Sequence, residues 1–413
     1  MPTNDDSPRV RTREPERAQG VIRFEMPDDI IPADHRARLL WRVLGTLDLA
    51  PFTAQSKAVE GRAGRAVASP RMLLCLWMYG ISVGVGSARE IARLVLTDDP
   101  FRWIAGGCSV SHDVLSDFRI GHREALDKLF TEVVGTLLHR GLANLDVVAQ
   151  DGTRVRASAS APSFRSESSL DECLEQARLH VKGVLAEADD PGASRAEHAA
   201  RLAAARDYEH RVQAAITTVR ELRAQGKEAP RASTTDTDAR VTKMPDGGFR
   251  PGYNVQLSVA GAAHGGPRTI VGVRLTNVGS DMGSIVPMLD QIEARTGQRP
   301  GAILADANHA RHACIEEATR RGVVPIIAVP HRETSSTKPV CAEVAAWRDR
   351  METEQAKQLY KQRPALCELV NAHLKLHYGL GQVLVRGLPK VTCVVLLAAL
   401  TSNILQHIKD LLA

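Results

Sequence analysis

Paired or closely spaced cysteines are missing from this chain. The seven present, Cys75, Cys108, Cys173, Cys314, Cys341, Cys367 and Cys393, are odd in number, widely spread and never arranged as C-x-x-C. That pattern argues against a disulfide framework or a structural zinc site and points to a reducing setting. No H-E-x-x-H occurs among the histidines. His373 and His377 stand four apart on an expected helix, but a lone pair of that kind is ordinarily a surface feature. The N-terminal segment is polar and rich in arginine (Arg9, Arg11, Arg13, Arg17) with no apolar run, so no secretory leader is expected. The most apolar stretch, Val391 to Leu400, is too short to span a bilayer and reads as a buried helix.

What is present is ordinary globular composition over 413 residues, enough for two or three domains with a sizeable core. The net charge is +5 with a pI of about 8.9, which suits a nucleic-acid partner without requiring one. The excess is uneven. Residues 1–150 hold 19 basic and 19 acidic side chains, whereas residues 331–413 hold 11 basic against 7 acidic.

Residues 1–25 read as a disordered arm of balanced charge, and residues 26–142 as helical. Ser69-Pro70 offers an N-cap followed by proline at the first helical position, and Ser87 with Glu90 makes a capping box. Short helices with tight turns suit a helix-turn-helix DNA reader or a packing and dimerisation bundle equally well. At Leu145 to Asp151 the pattern changes to a short apolar strand ending in an acid, and Ala157 to Ser169 reads as a linker. Over residues 165–230 two helices broken at Asp190-Pro191-Gly192 form a hairpin. A β-hairpin (Tyr253 to Val259, Thr269 to Leu275), a helix from Ser284, a strand at Ala302 to Asp306, a helix over Arg311–Arg321, a strand at Val323 to Val329 and a helical tail follow. Strands alternating with helices make this α/β, with acids at the ends of two strands.

Each acid has a plain structural explanation beside a chemical one. Asp151-Gly152 is also the strongest short hairpin-turn signal, with Thr153 to Arg156 as the return strand. Asp306 also suits capping of the next helix, and Asp281 the capping of the helix from Ser284. Asp236 and Asp238 also suit an Asx turn. Pro364 fits a helix start, and at about 100° per residue Glu368, Asn371 and Lys375 then share one face. A solvated charged face accounts for Lys375 but not for the Gly379, Arg386-Gly387 and apolar helix with Asn403 that follow.

The run Tyr360, Arg363, Glu368, Lys375 resembles the Y-R-E-K signature of DDE-type transposases from bacterial insertion sequences, with the arginine-to-glutamate spacing of one large branch. Asp151-Gly152-Thr153, Thr235 to Arg240, Gly252 to Gln256, Tyr79-Gly80 and Ser87 to Glu90 are also similar to that family, and the likeness runs from about residue 25 to 410. One departure stands out: the second-acid motif commonly reads Ala-Asp-Ala-Gly-Tyr, and here it is Ala305-Asp306-Ala307-Asn308-His309.

The resemblance implies an RNase H-like mixed-sheet core over residues 143–164 and 231–413, interrupted by the helical insertion at 165–230 and preceded by the helical N-terminal domain. It implies that Asp151, Asp306 and Glu368 are catalytic and hold two Mg²⁺ ions, with Mn²⁺ a substitute, because hard cations favour carboxylate oxygen and a metal pair serves in-line phosphoryl displacement. Lys375, Arg363, Tyr360, Asn371 and Arg386 are the expected DNA-binding residues, although Tyr360 also suits packing. The expected partners are terminal inverted repeats and target DNA, engaged by a homodimer or larger synaptic complex in the bacterial cytoplasm at the nucleoid. A metal-dependent nuclease without strand transfer and an inactive DNA-binding descendant are the alternatives.

Overall fold

The computed structural model describes residue 18, residue 24, residues 26–54, residue 58 and residues 66–187, 194–261, 266–331 and 339–413. The expected arm (apart from residues 18 and 24) and the Asp190-Pro191-Gly192 break lie outside these.

Among the described residues, six helices come first: α1 (Arg36–Leu44), α2 (Pro70–Ser82), α3 (Ala88–Thr97), α4 (Asp99–Ala105), α5 (His112–Gly121) and α6 (Arg123–His139). The Ser69 hydroxyl accepts from the Met72 N–H, with Pro70 at the first helical position. Ser87 likewise accepts from the Glu90 N–H, but the other half of the expected box is not made, because the Glu90 carboxylate pairs with Arg93 at 2.6 Å. Every residue of α2 from Met72 to Ile81 is buried, as befits a helix apolar on all sides.

The sheet begins with β1 (Val147–Arg156). After it come β2 (Phe164–Arg165), α7 (Glu167–Ala186), α8 (Arg195–Ala224), β3 (Ala232–Ser233), β4 (Arg240–Lys243), β5 (Phe249–Ala260), β6 (Thr269–Thr276), α9 (Ile285–Thr296), β7 (Ala302–Ala305), α10 (His312–Arg320) and β8 (Val324–Ile327). The chain closes with α11 (Ala342–Glu352), α12 (Glu354–Tyr360), a π-helical turn (Pro364–Glu368), α13 (Leu369–Leu376), α14 (Leu388–Gln406) and α15 (Ile408–Leu412). β1 lies between β5, to which it is antiparallel, and β7, to which it is parallel. β8 continues parallel beyond β7, while β4 and β6 line the far edge of β5. This mixed sheet is the RNase H-like core expected.

Two sequence expectations are corrected here. β1 does not end or turn at Asp151-Gly152. It runs straight through, paired with β5 from Val148 opposite Ala260 to Arg156 opposite Gly252. Gly152 serves close packing rather than a turn, since a Cβ there would run into the Asp281 carboxylate and the Gln256 amide. The stretch read as a linker contains β2, which pairs with β3 and closes the base of the helical insertion. In that insertion Leu170 and Leu174 at the start of α7 meet Val212, Ile216 and Val219 late in α8, so the two helices are antiparallel and keep a small core of their own.

α14 extends the apolar run to 19 residues, long and apolar enough by composition to cross a membrane, contrary to the shorter stretch read from sequence. It packs against α2, α5, α6 and β6, and its side chains from Val395 to Ile404 are buried. Asn403 explains its place in that apolar helix: its side chain accepts from the Ile270 N–H and donates to the Ile270 carbonyl, both at 2.8 Å, beside a register shift in the β5–β6 pairing. One apolar cluster joins α1, α2, α5 and α6 to α14, β5 and β6, and a second packs α9, α10 and α11 on β7 and β8.

Candidate active site

The site is built where β7 stops. Ala149 pairs with Leu304 in parallel register, so two residues further along Asp151 stands level with Asp306. β7 has ended there, and the space beside β1 is filled by the π-helical turn, α13 and residue 382, which bridges to Arg156. Glu368 closes the π-helical turn, in which the Leu369 N–H reaches back five residues to Pro364. Such turns often mark functional positions.

Asp151 and Glu368 are linked at this end of the sheet through another side chain, while Asp306 is held separately. Arg363 lies 2.6 Å from Glu368 and 3.8 Å from Asp151, and Asn371 Nδ2 donates to Asp151 Oδ2 at 2.9 Å. Asp306 accepts from the Asn308 backbone N–H at 3.0 Å, and also from the Asn308 and His309 side chains, so its capping role is real as well. Burial raises the Asp151 carboxyl above its ordinary value, Arg363 opposes this, and the neighbouring Asp306 adds to it. Burial pushes Asp306 the same way, but His309 and Arg363 outweigh it and hold that carboxyl below its ordinary value.

Among the described residues no three His, Cys, Asp or Glu side chains stand close enough to hold one ion, and the guanidinium of Arg363 pairs with both Asp151 and Glu368. That guanidinium is a stand-in cation. Beside it the Asn371 Oδ1 is buried without a hydrogen-bond partner among the described residues. Three hard carboxylates, a positive charge already drawn in among them and an orphaned amide oxygen fit a hard divalent ion.

Of the residues expected to touch DNA, Lys375 lines an open groove of about 930 Å³ together with Asp151, Asp306, Arg154 and Lys243. Burial, and then Arg154, lower the Lys375 ammonium below its ordinary value. Asn371 is buried and committed to Asp151, Tyr360 is half-buried against the second apolar cluster, and Arg386 is exposed with its Nε donating to the Ser158 carbonyl at 3.3 Å.

Sequence reasoning missed a buried polar network beneath the groove. Asp281 accepts from Arg154 (3.0 Å), Asn254 (2.8 Å) and Gln256 (2.6 Å), rather than capping α9 with its side chain. Gln150 donates to Ser284 at 2.8 Å, and His309 meets both Asp306 and Gln256. The signal was the alternation Asn254, Gln256, Ser258 in β5, which reads as a solvated strand face, although all three are buried. The Asp236 and Asp238 pair proves to be an anchor: both Asp236 oxygens take the Tyr253 hydroxyl at 2.8 Å, Gly387 N–H donates to Asp236, and Leu388 N–H donates to Asp238 at the start of α14.

Residues 224–404 match the family described as Transposase DDE domain, and residues 25–120 match the family described as Transposase domain (DUF772). The first match takes in Asp306 and Glu368 but begins after β1 and Asp151. No curated protein and no solved structure matches the chain. With most of its length in these two matches, the chain belongs to the DDE-type transposases of insertion sequences. It is thus an enzyme of DNA phosphodiester chemistry, and DNA is its partner.

Proposed function

We propose that this transposase cuts the terminal inverted repeats of its own element and joins the freed 3′ hydroxyls to target DNA, with Asp151, Asp306 and Glu368 as the catalytic carboxylates. The observation that carries the reading is the parallel register setting Asp151 level with Asp306, with Glu368 tied to Asp151 through Arg363. The three acids would hold two Mg²⁺ ions, Mn²⁺ substituting, which supply activation of the attacking oxygen and stabilisation of the leaving one. Lys375 and Arg363 take phosphates of the DNA backbone, and the groove that Lys375 shares with Lys243 sets its path past Asp151 and Asp306. Arg363 leaves the carboxylates when phosphate offers it an alternative partner, so its charge passes from the acids to the DNA. Asn371 holds Asp151 in place rather than reading DNA, and Tyr360 packs beneath Arg363. The spacing of Tyr360, Arg363, Glu368 and Lys375 supports membership of the Y-R-E-K branch. Two copies, each bound to one element end, form the synaptic complex.

The test is nicking and joining of DNA carrying the element's ends, with Mg²⁺ or Mn²⁺ present. Asp151→Asn and Glu368→Gln should each lose cleavage by at least about a thousandfold while binding the same DNA within about twofold, since they remove chemistry and not the backbone contacts. Wild-type cleavage by either variant contradicts the assignment. Nicking without joining by the unaltered protein identifies a nuclease, and binding without nicking an inactive descendant.

A further inference from the structure

The two residues that depart from the common second-acid motif each hold the Asp306 carboxylate. Asn308 Nδ2 donates to Oδ2 at 3.0 Å and its backbone N–H to Oδ1 at 3.0 Å, while His309 Nδ1 donates to Oδ1 at 2.8 Å. Asn308 is exposed, but the His309 side chain is fully buried, and its Nε2 meets Gln256 Oε1 at 3.2 Å. Gln256 is in turn fixed, because its Nε2 donates to Asp281, which is paired with Arg154 on β1. Gly152 makes room for this chain of contacts, since any side chain there would occupy the place of the Gln256 amide and the Asp281 carboxylate.

We propose that His309 is a positioning residue: it fixes the orientation of the Asp306 carboxylate toward a divalent ion by bracing it against Gln256 and, through it, the Asp281–Arg154 pair. The ring spans the position of β1, which lies between β5 and β7, with one nitrogen on the acid after β7 and the other on the middle of β5. Asp306 lies beyond its last strand pairing, where backbone alone leaves a carboxylate free to rotate. A partner locked by packing removes that freedom, and hydrogen bonds to a ligating carboxylate typically change metal affinity by about 10- to 100-fold when lost. The residues at positions 308 and 309 thus give Asp306 direct support, which argues against loss of function at this acid.

This inference rests on the assignment of Asp306 as a metal ligand. The test measures Mn²⁺ binding to the full chain by electron paramagnetic resonance, together with the Mn²⁺ dependence of nicking. His309→Ala should weaken Mn²⁺ binding by about 10- to 100-fold. Its nicking should recover at high Mn²⁺, so that the half-saturating concentration moves much more than the maximal rate, and metal-free DNA binding should stay unchanged. His309→Gln, which keeps a donor of similar reach, should recover affinity that His309→Ala loses. Gln256→Met, which removes the outer brace and leaves the imidazole, should weaken binding in the same direction by less. Unchanged Mn²⁺ affinity in folded His309→Ala overturns the inference, and should that variant fail to fold, unchanged affinity in folded Gln256→Met overturns it. Asp306→Asn separates the two claims: if it leaves Mn²⁺ binding untouched the assignment of the acid itself is wrong, whereas loss there with no effect at His309 removes only the positioning role.

Discussion

Asp281 is nearly buried and accepts hydrogen bonds from Arg154, Asn254 and Gln256. Burial alone would raise its carboxyl, but these donors, Arg154 above all, hold it below its ordinary value. A carboxyl with a depressed value in the folded state stabilises that state at neutral pH. The contribution is complete above the unfolded value of 3.8 and fades as pH falls through the lower folded value. Asp281→Ala leaves the half-buried Arg154 without its carboxylate, although its bond to the Gly279 carbonyl remains, so it should cost about 2 kcal/mol at pH 7. Chemical denaturation at pH 7 and again near pH 3 checks this: the gap from wild type should shrink at the acid end. A gap that is constant with pH would assign the loss to packing instead. The sequence offered no direct sign of this role, because Asp281 precedes a helix and capping is the commonest use of an acid there.

At the level of elements, the strand β1 was legible only as far as its apolar run. Asp-Gly usually turns a chain, and only the partner strand shows why it does not here: β5 pairs with β1 on both sides of the glycine, and the network beneath needs the space. Gly152→Ala should therefore destabilise the fold by about 2 kcal/mol, as overpacking of a filled interior does, even though alanine is otherwise tolerated in strands. Denaturation with urea measures it, and an unchanged midpoint would mean the network has slack. Glu368 was legible from its spacing to Tyr360, Arg363 and Lys375, a purely local pattern. That Arg363 would fold back between Asp151 and Glu368 was not, because it depends on a contact between residues more than two hundred positions apart. The polar alternation of β5 could not reveal the buried network for a like reason: period-2 patterning says which residues share a face but not whether that face meets water.

Across the whole molecule, the N-terminal helices are not set apart from the sheet. α1, α2, α5 and α6 share one apolar cluster with α14, β5 and β6, so these helices cover the back of the domain that carries the acids. This favours packing as at least one role of the helices over residues 26–142. The helical insertion differs, since α7 and α8 hold their own small clusters and join the rest through the β2–β3 pairing and the Asp236 anchor at the start of α14. Chain order gave these units away by composition, but the shared core was invisible to it, because which helix covers which strand is decided by shape. The proposed function requires the same long-range arrangement to bring Asp151, Asp306 and Glu368 around common ions, and iron-directed cleavage of the polypeptide tests that proposal most directly. With Fe²⁺ in place of Mg²⁺, plus ascorbate and peroxide, the full chain should be cut near residues 151, 306 and 368 together, and Asp151→Asn should abolish all three cuts. Cutting near 151 and 306 with none near 368 would contradict the account.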